Sequence, residues 1–120
     1  MQQLTAPSRE LALRIFREVD FKDRLIGRIL HLRGGIRTRS IYTLEEAFLL
    51  LKEPLPQIDL TKLENWIRVV IKDGELADRI KEAIAQRIME QGRLQLIRDL
   101  VGWRLIQCWQ LVKPTPEISA

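Results

Sequence analysis

Apolar side chains recur along most of the chain at spacings of three and four, the mark of helices that bury one face. Leu11, Ile15 and Val19, with Ala12 and Phe16, form the first such stripe, and Glu10, Arg14 and Glu18 lie opposite it at i,i+4 spacing. Ser8 precedes the stripe as an N-cap, because its hydroxyl can accept an orphan amide hydrogen of the first turn. Phe21, Leu25, Ile29 and Leu32 give a second stripe with Asp20 as its cap, so a helix is predicted over 21–32, either separate from the first or its kinked continuation. Gly34-Gly35 ends that helix, since glycine enters the left-handed region without a Cβ clash. Residues 36–42 carry the β-prone Ile36, Thr38, Ile41 and Tyr42, so a short extended piece or hairpin is the one departure from helix.

Thr43-Leu44-Glu45-Glu46 has the form of a capping box, opening a helix with Leu44, Phe48 and Leu51 inward that stops before Pro54. Leu55-Pro56-Gln57-Ile58 is a stiff connector. Asp59 or Thr61 caps the next helix, whose inner face is Leu63, Trp66, Ile67, Val70 and Ile71. Asp73-Gly74 makes a turn, and Leu76, Ile80, Ala83, Ile84 and Ile88 mark a long amphipathic helix. Gly92 punctuates before a last helix at about 93–112, in which twelve of twenty residues are apolar and occupy more than one face. Such a helix is usually interior, so it is expected to be the central one. Pro114 and Pro116 end the order in a frayed tail, 114–120. The fold class predicted is all-α: a compact bundle of five or six helices forming one domain over residues 1–113.

Composition adds exclusions. With 46% apolar and 30% charged residues, the chain has the profile of a soluble globular protein. One Cys excludes an internal disulfide framework, and one His with one Cys excludes a zinc finger. No apolar leader and no run of eighteen uncharged apolar residues occurs, so neither secretion nor a membrane span is expected, and the cytoplasm is the default location. The net charge of +4 is unevenly spread: residues 1–40 hold nine basic and four acidic groups, whereas residues 41–82 hold six and nine. Fourteen of the basic groups are Arg, whose planar fork suits phosphate and carboxylate.

Over residues 44–80, Leu44-Glu45-Glu46, then Leu63-x-x-Trp66-Ile67-Arg68-x-Val70, then Asp73-x-Glu75-Leu76-Ala77 resembles a small helical domain of unknown function found in prokaryotic proteins. That family's core is a Trp-Ile…Val…Asp…Leu-Ala run on two successive helices; here Lys72-Asp73-Gly74 stands where a Gly-Asp turn is usual. The resemblance implies an all-helical fold and no activity. The residues alone read as core (Trp66, Ile67, Val70, Leu76, Ala77) with Asp73 as a cap.

The feature with the sharpest chemistry is the acid-free run 24–39, which holds Arg24, Arg28, Arg33, Arg37, Arg39 and His31. On the predicted helix Arg24, Gly27, Arg28 and His31 fall at i, i+3, i+4 and i+7, one stripe continuing into an Arg-bearing glycine loop. Such a track suits the phosphate backbone of RNA or DNA, without sequence-specific readout, in a module or small subunit of a larger assembly. The competing reading is a solvated basic face neutralised by acids elsewhere in the chain. Trp103 and Trp109 are the candidates for a protein-partner interface on the last helix, with self-association the simplest case. Catalysis is not expected. Cys108 lies among Ile106, Trp109 and Leu111, His31 is the only imidazole, Asp73, Glu75 and Asp78 lack calcium-loop spacing, and Gly34-Gly35 has no following Lys-Ser/Thr. No cofactor and no metal are implied.

Overall fold

The computed structural model describes residues 4–31, 33–54 and 56–113. Over the described residues the fold is mixed α/β: five α-helices and a three-stranded antiparallel sheet of order β2-β1-β3. Helix α1 (Arg9–Ile15) starts at Ser8, whose Oγ accepts the Leu11 N–H at 3.0 Å. A 3-10 turn (Phe21–Asp23) leads into β1 (Leu25–His31), which pairs with β2 (Gly35–Ile41) from Leu25 opposite Ile41 to His31 opposite Gly35. Helix α2 (Leu44–Leu51) is capped by the Thr43 hydroxyl, which accepts the Glu46 N–H at 3.1 Å; Glu46 returns to the N–H of Tyr42, one residue earlier than a standard capping box. Strand β3 (Pro56–Gln57) joins the other edge of β1.

Helix α3 (Leu60–Trp66) is capped by Asp59, which accepts both the Thr61 and Lys62 N–H groups. It widens into π-helical geometry over Ile67–Ile71 and stops at Lys72, which is left-handed at φ 65°. Arg14 of α1 donates to the Ile71 and Lys72 carbonyls there, satisfying acceptors the helix end leaves open. Helix α4 (Gly74–Ala85) is capped by Asp73, and α5 (Glu90–Val112) closes the fold against α1, α4 and α2. The tail anticipated at 114–120 lies outside the described residues, as do Leu32 and Leu55.

The all-α expectation is therefore wrong, and residues 21–32 are where it fails. A spacing of four satisfies period 2 as well as period 3.6, so Leu25 and Ile29 fit a strand equally well. The intervening residues decide it: Gly27 is buried with Leu25 and Ile29, while Ile26, Arg28 and Leu30 alternate to the outside. Gly27 weakens a helix, and the β-branched Ile26 and Ile29 favour the extended pairing. Gly35, at φ 72°, serves the hairpin turn and is no helix cap. The extended piece anticipated at 36–42 is β2. Gly92 lies inside α5, which is not wrapped by the others: Ile97, Leu100, Val101, Arg104, Leu105 and Cys108 are buried, but Ile106 and Trp109 are more than half exposed.

Two glycines set how closely the layers meet. A β-carbon on Gly27 would collide with the Leu50 Cδ2 of α2 and lie 3.3 Å from Ile41 Cδ1. A β-carbon on Gly102 of α5 would meet the Phe48 ring at 2.8 Å. Helix α2 is thus clamped between the sheet and α5. Across the core, Arg104 is 1% exposed and Asp73 2% exposed. Arg104 Nε approaches Asp73 Oδ2 at 2.8 Å, an ion pair lying off the N–H axis, so neither atom completes a linear hydrogen bond. Its terminal nitrogens reach Glu75 Oε1 at 2.6 Å, the Thr5 carbonyl at 2.8 Å and Gln107 Oε1 at 2.9 Å.

Gly27→Ala should destabilise the protein by about 1–3 kcal/mol, the usual cost of overpacking a filled core, measured by urea unfolding. Glu75 gives a pH signature. Burial alone would raise its pKa, but the N–H and hydroxyl of Thr5 and the Arg104 guanidinium outweigh that and hold it below the ordinary 4.5. The unfolded chain then binds the proton first as acid is added. The stabilisation is present above pH 4.5 and is lost as pH falls through the folded value. Glu75→Gln should flatten the acid side of the unfolding midpoint against pH.

Candidate nucleic-acid interface

The acid-free run forms the β1–β2 hairpin. Residues paired across antiparallel strands share a face, so the register sorts the side chains. Arg28 lies on the outer face with Ile26, Leu30, Ile36, Thr38 and Ser40, whereas Arg37 and Arg39 share the inner face with Leu25, Gly27 and Ile29. From Gly35 to Arg39 every residue is exposed, so this half of β2 is covered on neither side. The single helical stripe of Arg24, Arg28 and His31 does not exist. In its place is a two-sided basic ribbon with His31 and Arg33 at its turn, both exposed.

Each cation has its own surroundings. Arg24 is partly spent locally: its guanidinium lies 3.7 Å over the Phe21 ring, donates to the Phe21 carbonyl at 2.8 Å and reaches Ser40 Oγ at 3.3 Å. Arg39 faces Glu53 at 3.8 Å, a half-exposed pair worth less than about 1 kcal/mol. Among the described residues Arg24, Arg28, His31, Arg33 and Arg37 make no ion pair, so no described carboxylate cancels their charge.

The outer face of the sheet forms one wall of a cleft of about 570 Å³. Arg24, Arg28 and Lys62 supply its positive groups and Asp59 its negative one, over Ile26, Ile36 and Ile58. Lys62 and Gln57 were not among the sequence-predicted residues. They join the cleft because β3 pairs with β1 and swings the start of α3 alongside, and no local pattern in the sequence announces that pairing.

The tryptophans lie elsewhere. Trp109 is 55% exposed on α5 and meets the Phe16 ring edge-on at 6.1 Å. Trp103 is half-buried and lines an apolar cavity of about 500 Å³ with Phe48 and Ile106. The residues that carry the resemblance, Trp66, Ile67, Asp73, Leu76 and Ala77, are buried, and Trp66 Nε1 donates to the Asp23 carbonyl at 2.7 Å. They are core and cap.

Comparison with protein-family profiles, curated proteins and solved structures returned no match. Among the described residues no three His, Cys, Asp or Glu side chains cluster as metal ligands, and no helix is long and apolar enough to cross a membrane.

Cys108 is fully buried, and burial pushes its thiol up to about 11, with Asp73 adding to the effect and Arg104 opposing it. The thiolate is the reactive form, so a thiol reagent at pH 8 should label the folded protein far more slowly than the urea-unfolded chain, followed by absorbance.

Proposed function

We propose that the protein is a nucleic-acid-binding module whose β1–β2 hairpin engages the phosphate backbone of RNA or DNA without reading sequence, acting as a small subunit of a larger assembly. The observation that carries this reading is a hairpin, exposed throughout from Gly35 to Arg39, with five Arg and one His between residues 24 and 39, no carboxylate of its own and, among the described residues, one ion pair, Arg39 to Glu53. Arg binds phosphate through charge-assisted, often bidentate bonds, and a two-stranded ribbon is narrow enough to lie against a groove. The cleft beside it adds Lys62 to the positive surface. Exposed Ile26, Leu30 and Ile36 on the outer face supply apolar contact for sugar or base edges.

Affinity should fall with salt as counterions are displaced. The slope of log K against log salt on duplex should lie between about −2.7, if Arg28, Arg33 and Arg37 alone contact phosphate, and about −4.5, if Arg24 and Arg39 also engage. Arg33→Ala with Arg37→Ala should reduce that slope by about 2 while circular dichroism stays unchanged. No binding at low ionic strength, or an unaltered slope in the double variant, would overturn the proposal.

A further inference from the structure

Helix α2 presents Glu45, Phe48, Leu49 and Lys52 at i, i+3, i+4 and i+7, a single stripe. Leu49 at its centre is 52% exposed, and beside it on α5 Ile106 is 59% and Trp109 55% exposed. Two apolar cavities of about 440 and 500 Å³ run end to end between the helices and share Phe48, Gly102 and Ile106. The absence of a side chain at Gly102 lets Phe48 sit low and opens their common floor. The first ends at Glu45 and Trp109, the second at Lys52, Arg98 and Asp99. The groove is therefore apolar in the middle, negative at one end and net positive at the other.

That polarity selects an occupant. A two-fold axis normal to the groove and passing near Leu49 reverses the direction of the second copy. It sets Glu45 of each copy against Lys52 and Arg98 of the other, and the apolar centres against each other. An isologous contact needs this kind of self-complementary patch. We infer that the α2–α5 groove is a homodimer interface, seated on Leu49 and Ile106 and closed at both ends by Glu45–Lys52 contacts between copies. The contact lies on a different face from the hairpin's exposed end and stands or falls independently of the nucleic-acid reading. Each dimer would carry two hairpins.

Charge exchange tests the geometry directly. Sedimentation equilibrium from about micromolar to about millimolar protein should give a monomer–dimer equilibrium. Glu45→Lys and Lys52→Glu should each weaken it by about tenfold or more, because like charges then face each other twice per dimer. The two changes in one chain should restore it to within about threefold of the original, since opposite charges again meet across the axis. Within one copy these positions are about 10 Å apart along the helix, too far to bridge, so the rescue reads an intermolecular contact. Ile106→Asp, at an exposed site, should give a monomer that keeps the original circular dichroism and, at concentrations where the original is itself monomeric, the original melting temperature. A strict monomer, a dimer indifferent to the single exchanges, or a double exchange that fails to rescue would each overturn the inference.

Discussion

Arg104 brings a full positive charge to the buried face of α5, and the surrounding chain is arranged to hold it. A guanidinium left alone in such a place would cost several kcal/mol, so its partners must be present and fixed. Asp73 does two things at once: one oxygen caps α4 by accepting the Leu76 N–H, and the other faces Arg104. Glu75 adds the second carboxylate and accepts the N–H and hydroxyl of Thr5. Gln107, one turn on, accepts from Arg104 and donates to the Leu4 carbonyl. A helix start, the middle of a long helix and the segment before α1 are thus joined at one point with directional bonds, which apolar contact alone does not provide.

The position of α5 then propagates outward. With Arg104 inward, Ile106 and Trp109 are turned away from the core. Phe48 rests over Gly102, which fixes α2 on α5, and Leu50 rests over Gly27, which fixes the sheet on α2. The hairpin therefore stands at the end of a chain of close contacts, each permitted by a missing side chain. Its outer strand β2 is an edge, with main-chain donors and acceptors open along one side. Arg37 and Arg39 on that strand deter strand-to-strand association, because charge on an edge opposes pairing with another edge. In the proposed reading the same residues would serve phosphate contact, and the charge on this edge turns self-association toward another surface, the α2–α5 groove.

Much of the framework was legible locally. Ser8, Thr43 and Asp73 were recognisable caps, Asp59 was one of two candidates with Thr61, and each of the four accepts amide hydrogens of its own helix. The inner faces of α2, α3 and α4 followed from periodicity in part: Leu44, Leu51, Leu63, Trp66, Ile67, Ile71, Leu76, Ile80 and Ala83 are buried, but Phe48 is only half-buried, buried Leu50 was not anticipated, and Ile88 lies beyond α4 and is 41% exposed. The positions of the basic residues and the absence of acids among them were also explicit in the sequence, although their arrangement was not. Arg24, Arg28 and His31 were expected on one helical stripe and instead lie on and beside a strand whose neighbours alternate between two faces.

The sequence alone determined which segments could be helical, where α1, α2 and α4 start, and that a cluster of guanidinium groups without carboxylates would sit near residue 30; α5 starts at Glu90, ahead of the Gly92 taken as its boundary. Only the tertiary structure decided that residues 25–31 are a strand rather than a helix, that Lys62 joins Arg24 and Arg28, that Arg104 is buried, and that Trp109 faces outward. The division has a physical cause. Caps and periodicity depend on atoms within a few residues of each other, whereas a strand is stabilised by hydrogen bonds to a partner elsewhere in the chain. A spacing of four cannot distinguish the two until that partner is in place.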